Sequence, residues 1–403
     1  MDTDFLIVGG GIGGAVLARL LARGGKRVTV LERDLAPPPL VRPEVLWPAT
    51  LKTLSALVPR EQFRAALLRI GGIEFRSGQR TLASFHVPNS TGGNPAAGTC
   101  ITDPNQTRAL LLAGDEFDLR RGVRVTGLLR EGGRVLGVKA HDAARGIEYD
   151  IAARCTIADD GARSLVRQEC GLGIELQPLA MDLLCFGFDW PAKLPRSMGR
   201  IWINEHHGMS SIFLLATGPL PTGRGAALVP VRPALLENPE QITADWQSFL
   251  RTNPDAASLC ADRRCPGDMV RVRIAYGHAP RYGSPGVFLI GDAAHPVTPA
   301  GGQGANLAIA DAAALATLLL RDPENALSDY EALRRPAAQR SLRFSRGAAR
   351  ALRLPDAALR GLFRTALRIA GLRPDWFAPL VRLPATSFQT KDRPRARWCL
   401  ACP

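Results

Sequence analysis

Three clusters of residues in this chain have the types and spacing to do chemistry. The first is Gly9, Gly11 and Gly14, spaced as G-x-G-x-x-G, with Ile12 and Gly13 between them and Glu32-Arg33 downstream. This spacing predicts a tight turn at Gly9, close backbone approach to a diphosphate at Gly11, and close helix–strand packing at Gly14. Free N–H groups at the helix start would bind the diphosphate. Glu32 would accept hydrogen bonds from ribose hydroxyls, with Arg33 beside it. The second cluster is Asp160-Gly161, followed by Ser164 and Arg167, at the end of an apolar run. A strand ending in Asp-Gly before a helix holds polar ligand groups at its carboxyl end. The third runs from Gly291-Asp292 through His295 and Pro299 to Gly302, Gln303, Gly304, Ala305 and Asn306. Here Asp292 can accept from a ligand hydroxyl and Pro299 offers a rigid surface beside a ring. The backbone N–H groups of residues 302–306 open a helix, where they favour negative charge.

These residues need elements to carry them. Residues 5–8 read as a buried strand, 15–23 as a helix ended by Gly24-Gly25, and 27–31 as a second strand, which is a complete βαβ unit. A proline-rich loop over 34–39 is followed by Arg42, an arginine placed to reach a phosphate or a cofactor edge, and then by a helix over 50–57. Residues 69–87 read as a hairpin turning at Ser77-Gly78 that starts a second sheet. A helix over 105–113 offers Gln106 and Arg108 as polar contacts. Residues 123–128, 134–140 and 148–152 read as a three-stranded meander, and 154–158 as a further buried strand. From 182 to 275 the pattern is mostly antiparallel strand with one helix over 242–250, and a sheet of that kind laid over a cofactor domain makes an enclosed pocket. A strand over 286–290 leads into the third cluster, whose helix runs to about residue 320.

Composition sets the outer bounds. The 403 residues are 46% hydrophobic and 22% charged, as in a globular protein with room for more than one core. No uninterrupted apolar run is long enough to span a bilayer. Met1-Asp2-Thr3-Asp4 leads straight into the first strand, so no signal peptide is expected and the cytoplasm is the expected location. The eight cysteines are scattered and are expected to be free. A zinc site from Cys260, Cys265, Cys399 and Cys402 is the weaker alternative, and no metal is expected. The net charge of +14 is uneven, since residues 334–403 hold sixteen Arg or Lys against three Asp.

The three clusters, taken in order, resemble the single-component FAD-dependent aromatic hydroxylases of the para-hydroxybenzoate hydroxylase type. The resemblance covers roughly residues 3–335. It departs at one place, where Ala158-Asp159 stands in the position of the family's Gly-Ala before Asp-Gly. The resemblance implies an α/β fold: an FAD-binding Rossmann-like domain, an inserted substrate domain of mostly antiparallel sheet, and a C-terminal helical extension. The expected boundaries are 1–68, 98–181 and 276–345 for the FAD-binding parts, 69–97 and 182–275 for the substrate parts, and 346–403 for the extension. It also implies non-covalent FAD, with NADPH or NADH and O2 as co-substrates. Arg42 falls where the family keeps a flavin-region arginine, and His295 belongs to the flavin motif as a structural residue. Oxygen would pass through a C4a-hydroperoxyflavin to an electron-rich ring.

No obligatory catalytic side chain can be named. His206, His207 and His278, with His86, are candidate bases for a phenol proton, each set against the reading of an ordinary polar residue. Few charges fall on the insertion's inner strands, which favours an apolar aromatic substrate of quinone-precursor or polyketide type. An N-oxygenase, a prenyl-chain reductase and a non-catalytic lipid-binding escort remain alternatives. The halogenase motif W-x-W-x-I-P is absent, because none of the six tryptophans lies two from another. Nucleic acid is not an expected partner, and the protein is expected as a monomer or dimer.

Residues 356–371 predict a helix with Leu359, Leu362, Phe363, Ala366, Leu367 and Ala370 on one face and Arg360, Arg364 and Arg368 beside it. Arg343, Arg346, Arg350 and Arg353 form a similar stripe upstream. The helix is expected to pack on the body, with peripheral contact to an anionic membrane surface as the alternative.

Overall fold

The computed structural model describes residues 2–37, 43–86, 98–190, 197–203, 211–216, 224–259 and 269–352, and residues 361, 362, 365, 366, 368 and 369. The first apolar run becomes β1 (Thr3–Val8), which leads through the glycines into α1 (Ile12–Arg23) and β2 (Val28–Glu32). Helix α1 starts earlier than the apolar periodicity predicts, because Gly11 is its N-cap and Gly13 and Gly14 lie within its first turn. Next come β3 (Glu44–Leu46), α2 (Pro48–Ser55), α3 (Arg60–Ala65), β4 (Leu67–Ile70), β5 (Gly72–Ser77), β6 (Arg80–His86), β7 (Thr99–Thr102) and α4 (Pro104–Leu112). Then β8 (Asp118–Arg121), β9 (Val123–Glu131), β10 (Arg134–Asp142), β11 (Ile147–Ala158) and α5 (Leu165–Glu169) return the chain to the nucleotide sheet. The insertion holds β12 (Gln177–Asp189), β13 (Met198–Ile203), β14 (Ser211–Ala216), β15 (Arg224–Val231), α6 (Pro239–Thr252), α7 (Pro254–Leu259) and β16 (Val270–Tyr276). The chain closes with β17 (Gly283–Ser284), β18 (Val287–Leu289), α8 (Gly304–Arg321) and α9 (Ala326–Leu352).

Among the described residues, the first sheet runs β17-β18-β11-β1-β2-β8, with β10 and β9 continuing from β11. The β18/β11, β11/β1, β1/β2 and β2/β8 pairs are parallel. Parallel strands are covered on both faces, and β1 accordingly buries Phe5, Leu6, Ile7 and Val8. Each such side chain contributes about 1.5–3 kcal/mol relative to exposure. The third meander strand and the strand expected after it are one element. In β11, residues 147–152 pair antiparallel with β10, and residues 153–158 pair parallel with β1. Continuous apolar and β-branched character carries the strand through Arg154, whose side chain points outward to Glu324 at 2.9 Å.

The second sheet runs β16-β12-β15-β14-β13-β5-β6. The early hairpin, β5–β6, therefore joins the strands of the later insertion, through a parallel β5/β13 pairing. One face of this sheet packs on α6 through Phe186, Trp202, Trp246 and Phe249. The other carries Leu179, Met181, Leu183, Cys185 and Ile274, and packs against Ala300 and Ala349. A third, small sheet runs β3-β7-β4.

Helix α8 packs on α1 and α9. Among the described residues it is the one helix long and apolar enough by composition to cross a bilayer, with a mean hydropathy of 1.3, and most of it is buried in the protein. Asn306, Asp311 and Thr317 interrupt its apolar sequence. Helix α9 runs unbroken across residue 346, where the extension was expected to begin, with Pro336 inside it. Cys100, Cys155 and Cys185 are buried free thiols and Cys170 is a half-buried one. The four cysteines of the zinc alternative lie outside the described residues.

Candidate active site

The site forms where the carboxyl ends of β1, β2, β11 and β18 converge. At the first glycine cluster, Gly9 takes φ 103°, which only glycine adopts readily. A Cβ there would stand 2.3 Å from the Asp159 carbonyl oxygen, and one on Gly14 2.4 Å from the Gly9 carbonyl oxygen. These glycines are therefore required by the crossing of β1, β11 and α1. Glu32 is buried at the end of β2. Its carboxylate accepts from the Gly10 N–H at 3.1 Å and the Asp34 N–H at 3.0 Å. Arg108, on α4, donates to Glu32 at 3.1 Å and to the Gly10 carbonyl at 2.9 Å. Arg19 of α1 fixes α4 in place by donating to the carbonyls of Leu110, Leu111 and Ala113 at its C-terminal end. Gln106 and Arg33 face solvent, and Arg33 lies 3.8 Å from Asp34. Arg42 lies outside the described residues.

At the second cluster Ser164 caps α5 by accepting from the Arg167 N–H at 3.0 Å, and the Asp160 carboxylate accepts from the Val166 N–H at 3.2 Å in the same first turn. Burial raises its pKa against hydrogen bonds from Ser164 and Val166 that lower it. Gly161 turns with φ 84°. Arg167 is buried and donates to the carbonyls of Ala293 at 2.9 Å and Ala162 at 2.8 Å. It thereby straps the second cluster to the third.

The third cluster rests on a buried network absent from the sequence expectations. Asp311, on α8, lies 2.7 Å from His295 Nε2 and accepts from Arg334 Nε at 2.7 Å and from the Gly291 N–H at 3.1 Å. Burial pushes the Asp311 pKa up, but the charges and hydrogen bonds of His295 and Arg334 outweigh it and the net shift is downward. The one sequence signal was a lone acid in an otherwise apolar helix, and nothing in spacing tied it to Arg334. With its backbone held from below, Asp292 is exposed at the strand end, as is Pro299. Gly301 and Gly302 take φ 79° and 60°. A Cβ on either would meet Phe344 at 2.4 Å or Val45 at 2.8 Å. Gln303 donates to the Gly301 carbonyl at 2.7 Å. The Asn306 side chain accepts from the Trp47 N–H and Thr50 hydroxyl and donates to the Val45 and Gly302 carbonyls. Its amide side chain thus locks α8 to α2. What it and Gly304 and Ala305 leave for a ligand is the backbone N–H row at a helix start with no side-chain cap.

Of the candidate bases, His278 sits 2.8 Å from the Tyr282 hydroxyl and 3.3 Å from Arg335. Burial first, then the charges of His295 and Arg335, lower its pKa to about 4, so it is neutral at pH 7. His206 and His207 lie outside the described residues, as does the side chain of His86.

These features fit a flavin dinucleotide. No Cβ fits at Gly9, Gly11 or Gly14, an acid ends β2, an exposed acid follows β18, and α8 starts without a side-chain cap.

Comparison with known proteins agrees. A family model described as an FAD binding domain matches residues 2–345. The 6-methylpretetramide 4-monooxygenase of Streptomyces rimosus is 29% identical over 375 residues, covering 85% of this chain and 82% of that protein. PqsL of P. aeruginosa, solved with 2-aminobenzoylacetate, superposes with a TM-score of 0.73 at 25% identity, covering 90% of this chain and 99% of PqsL. An aklavinone-11 hydroxylase solved with FAD and aklavinone gives a TM-score of 0.67 at 26% identity, covering 86% of this chain and 68% of the hydroxylase. This chain belongs to the FAD binding domain family, among its FAD-dependent aromatic monooxygenases.

Proposed function

We propose that the protein hydroxylates an apolar, polycyclic aromatic substrate of polyketide type, using FAD, NAD(P)H and O2. The observation that carries this reading is the sheet face opposite the 299–302 loop. There Leu179, Met181, Leu183, Cys185 and Ile274, with Val272, Leu228 and Tyr276, make an apolar wall packed against Ala300. At its edge the Arg346 guanidinium lies 4.8 Å over the Tyr276 ring. Such a wall favours flat hydrophobic rings over small acids. The relatives that act on 6-methylpretetramide and aklavinone support the same substrate class.

When bound, FAD supplies the electron transfer and oxygen chemistry. The chain's own part is to bind, orient and exclude water. The glycine crossing and Arg108–Glu32 would hold the nucleotide end. Asp292 would accept from a sugar-chain hydroxyl, and the start of α8 aims fixed N–H dipoles at developing negative charge. The apolar wall keeps water from the reacting ring.

The expected result is substrate-stimulated NAD(P)H oxidation in a panel of polycyclic phenols and quinones, with a product heavier by one oxygen atom labelled from 18O2. Label arriving from water, or no oxygen gain, would overturn the reading. Because PqsL holds a ring bearing an amine, aniline-type members of the panel test N-oxygenation as the second reading.

We further propose a cytoplasmic protein whose basic C-terminal stretch packs on the body, with contact to an anionic membrane as the second reading. Leu362 and Ile369, in its helical stretch, are 66% and 47% exposed. Flotation with anionic vesicles at low salt, lost in a chain ending at Leu354, is the result that would favour the second reading. No flotation under any condition would exclude membrane contact.

A further inference from the structure

Asp159 is the one place where the chain departs from the motif pattern, and its carboxyl lies at the nucleotide cradle. The Gly14 N–H donates to Asp159 Oδ2 at 2.8 Å. A Cβ built on Gly11 would stand 2.4 Å from that oxygen; one on Gly13 would stand 3.0 Å from Oδ1, and one on Gly291 3.2 Å from it. The carboxyl therefore lies over three glycines from two motifs, in the space that their missing side chains open beside the first turn of α1. Helix α1 has no side-chain cap at its own N-cap, Gly11. Asp159 reaches across from β11 and does that work.

The charges around it are unbalanced. Asp292, after β18, and Asp160, beside it on the way to α5, are both acids, and Arg108 on α4 is the opposing cation. Arg108 is already paired with Glu32 of β2 at 3.1 Å. From α9, the neighbouring titratable group is the fully buried Tyr330. Helix α1 presents backbone amides alone on this side. Burial, then Asp292 and Asp160, push the Asp159 pKa well above the usual carboxylate range, against the Gly14 N–H and Arg108, which lower it.

Resting on the assignment of FAD, we propose that Asp159 sets flavin affinity: its carboxyl competes with a diphosphate oxygen for the start of α1, and FAD binds only with a proton on that carboxyl. Protonated, it donates an O–H to a phosphate oxygen. Ionised, it repels the diphosphate and keeps the Gly14 amide for itself. Binding then takes up a proton wherever the free protein holds Asp159 ionised, and the apparent Kd rises up to tenfold per pH unit in that range.

The test is FAD titration of the flavin-stripped full chain between about pH 6 and about pH 9, read by flavin fluorescence. Calorimetry in two buffers of different ionisation enthalpy counts the protons. Wild type is expected to weaken as pH rises and to take up a proton. ADP-ribose, whose diphosphate is likewise esterified at both ends, should show the same slope. Asp159→Asn, which keeps the shape but cannot ionise, should bind FAD at least tenfold more tightly at the alkaline end, with a flat profile. Three outcomes would overturn the proposal: a flat wild-type profile without proton uptake, the wild-type slope persisting in Asp159→Asn, or binding weakened by that variant at every pH. If the variant does not fold, the wild-type proton count decides.

Discussion

Asp311→Ala is expected to destabilise the protein by about 3–5 kcal/mol, the cost of removing one partner from a buried charged network. Asp311 is fully buried, and Arg334, 2% exposed, cannot shed its charge. The Gly291 N–H loses its acceptor as well. Urea unfolding at neutral pH, followed by tryptophan fluorescence, measures the loss; a change below about 1 kcal/mol would show that the network is not structural. Adding Arg334→Met to Asp311→Ala should recover part of the loss, because the buried guanidinium goes together with its carboxylate, while His295 and the Gly291 N–H still lack their acceptor. The pH dependence has a definite sign. The Asp311 pKa in the folded protein lies below its ordinary value of 3.8. Its stabilising contribution is therefore complete above that value and is lost as pH falls through the folded-state pKa. The same network holds the backbone under Asp292, so flavin retention should fall together with stability.

Gly14→Ala is expected to weaken FAD binding about 5-fold to 150-fold, the equivalent of the about 1–3 kcal/mol that overpacking costs in a rigid site. Its Cβ would stand 2.4 Å from the Gly9 carbonyl oxygen, 3.0 Å from Ile7 and 3.1 Å from the Asp159 carboxyl. The nearest of these is backbone of the tight turn and cannot rotate away, so α1 must lift off β1. Gly173→Ala is the matched control, since a Cβ there meets nothing within 4 Å. Equilibrium titration with FAD compares the two; an affinity for Gly14→Ala within about twofold of wild type would sink the close-crossing argument, since that is well under 1 kcal/mol.

The parts of this fold that sequence alone could reveal are those with a local cause. The glycine spacing, the strand before it and the acid after it all act within one βαβ unit, so residues 3–32 were readable. The third cluster was equally local: Gly301 and Gly302 are needed by their own turn, and the helix after them is long and apolar. Relations between distant segments were not readable. Nothing near Asp311 points to Arg334, which pairs with it from the next helix. Asn306 was expected to contribute at the cofactor, and its amide N–H remains placed to do so. Its side chain, however, is fully committed to Trp47, Thr50, Val45 and Gly302, partners that only the docking of α2 on α8 creates. His278 offered a titratable ring, but its partners Tyr282 and Arg335 come from the turn below and from α9. Strand β11 was split in two because its alternating outer half and continuous inner half obey different burial patterns, one half-exposed and one covered on both faces.

That single strand limits where the sequence can lengthen or shorten. In β11 the pairing of Ala152 with Gly137 and of Ala158 with Val8 is fixed by one uninterrupted pleat. A residue inserted or deleted between those two points would turn every later side chain to the opposite face. Asp159 and Asp160 would exchange sides, and the acid at the glycine turn would become the acid at α5. The exposed bend at 143–146 carries no such constraint, because length added there is absorbed before the strand begins. Insertions and deletions among descendants of this chain should therefore collect at that bend and avoid the strand, independently of which substrate each descendant oxidises.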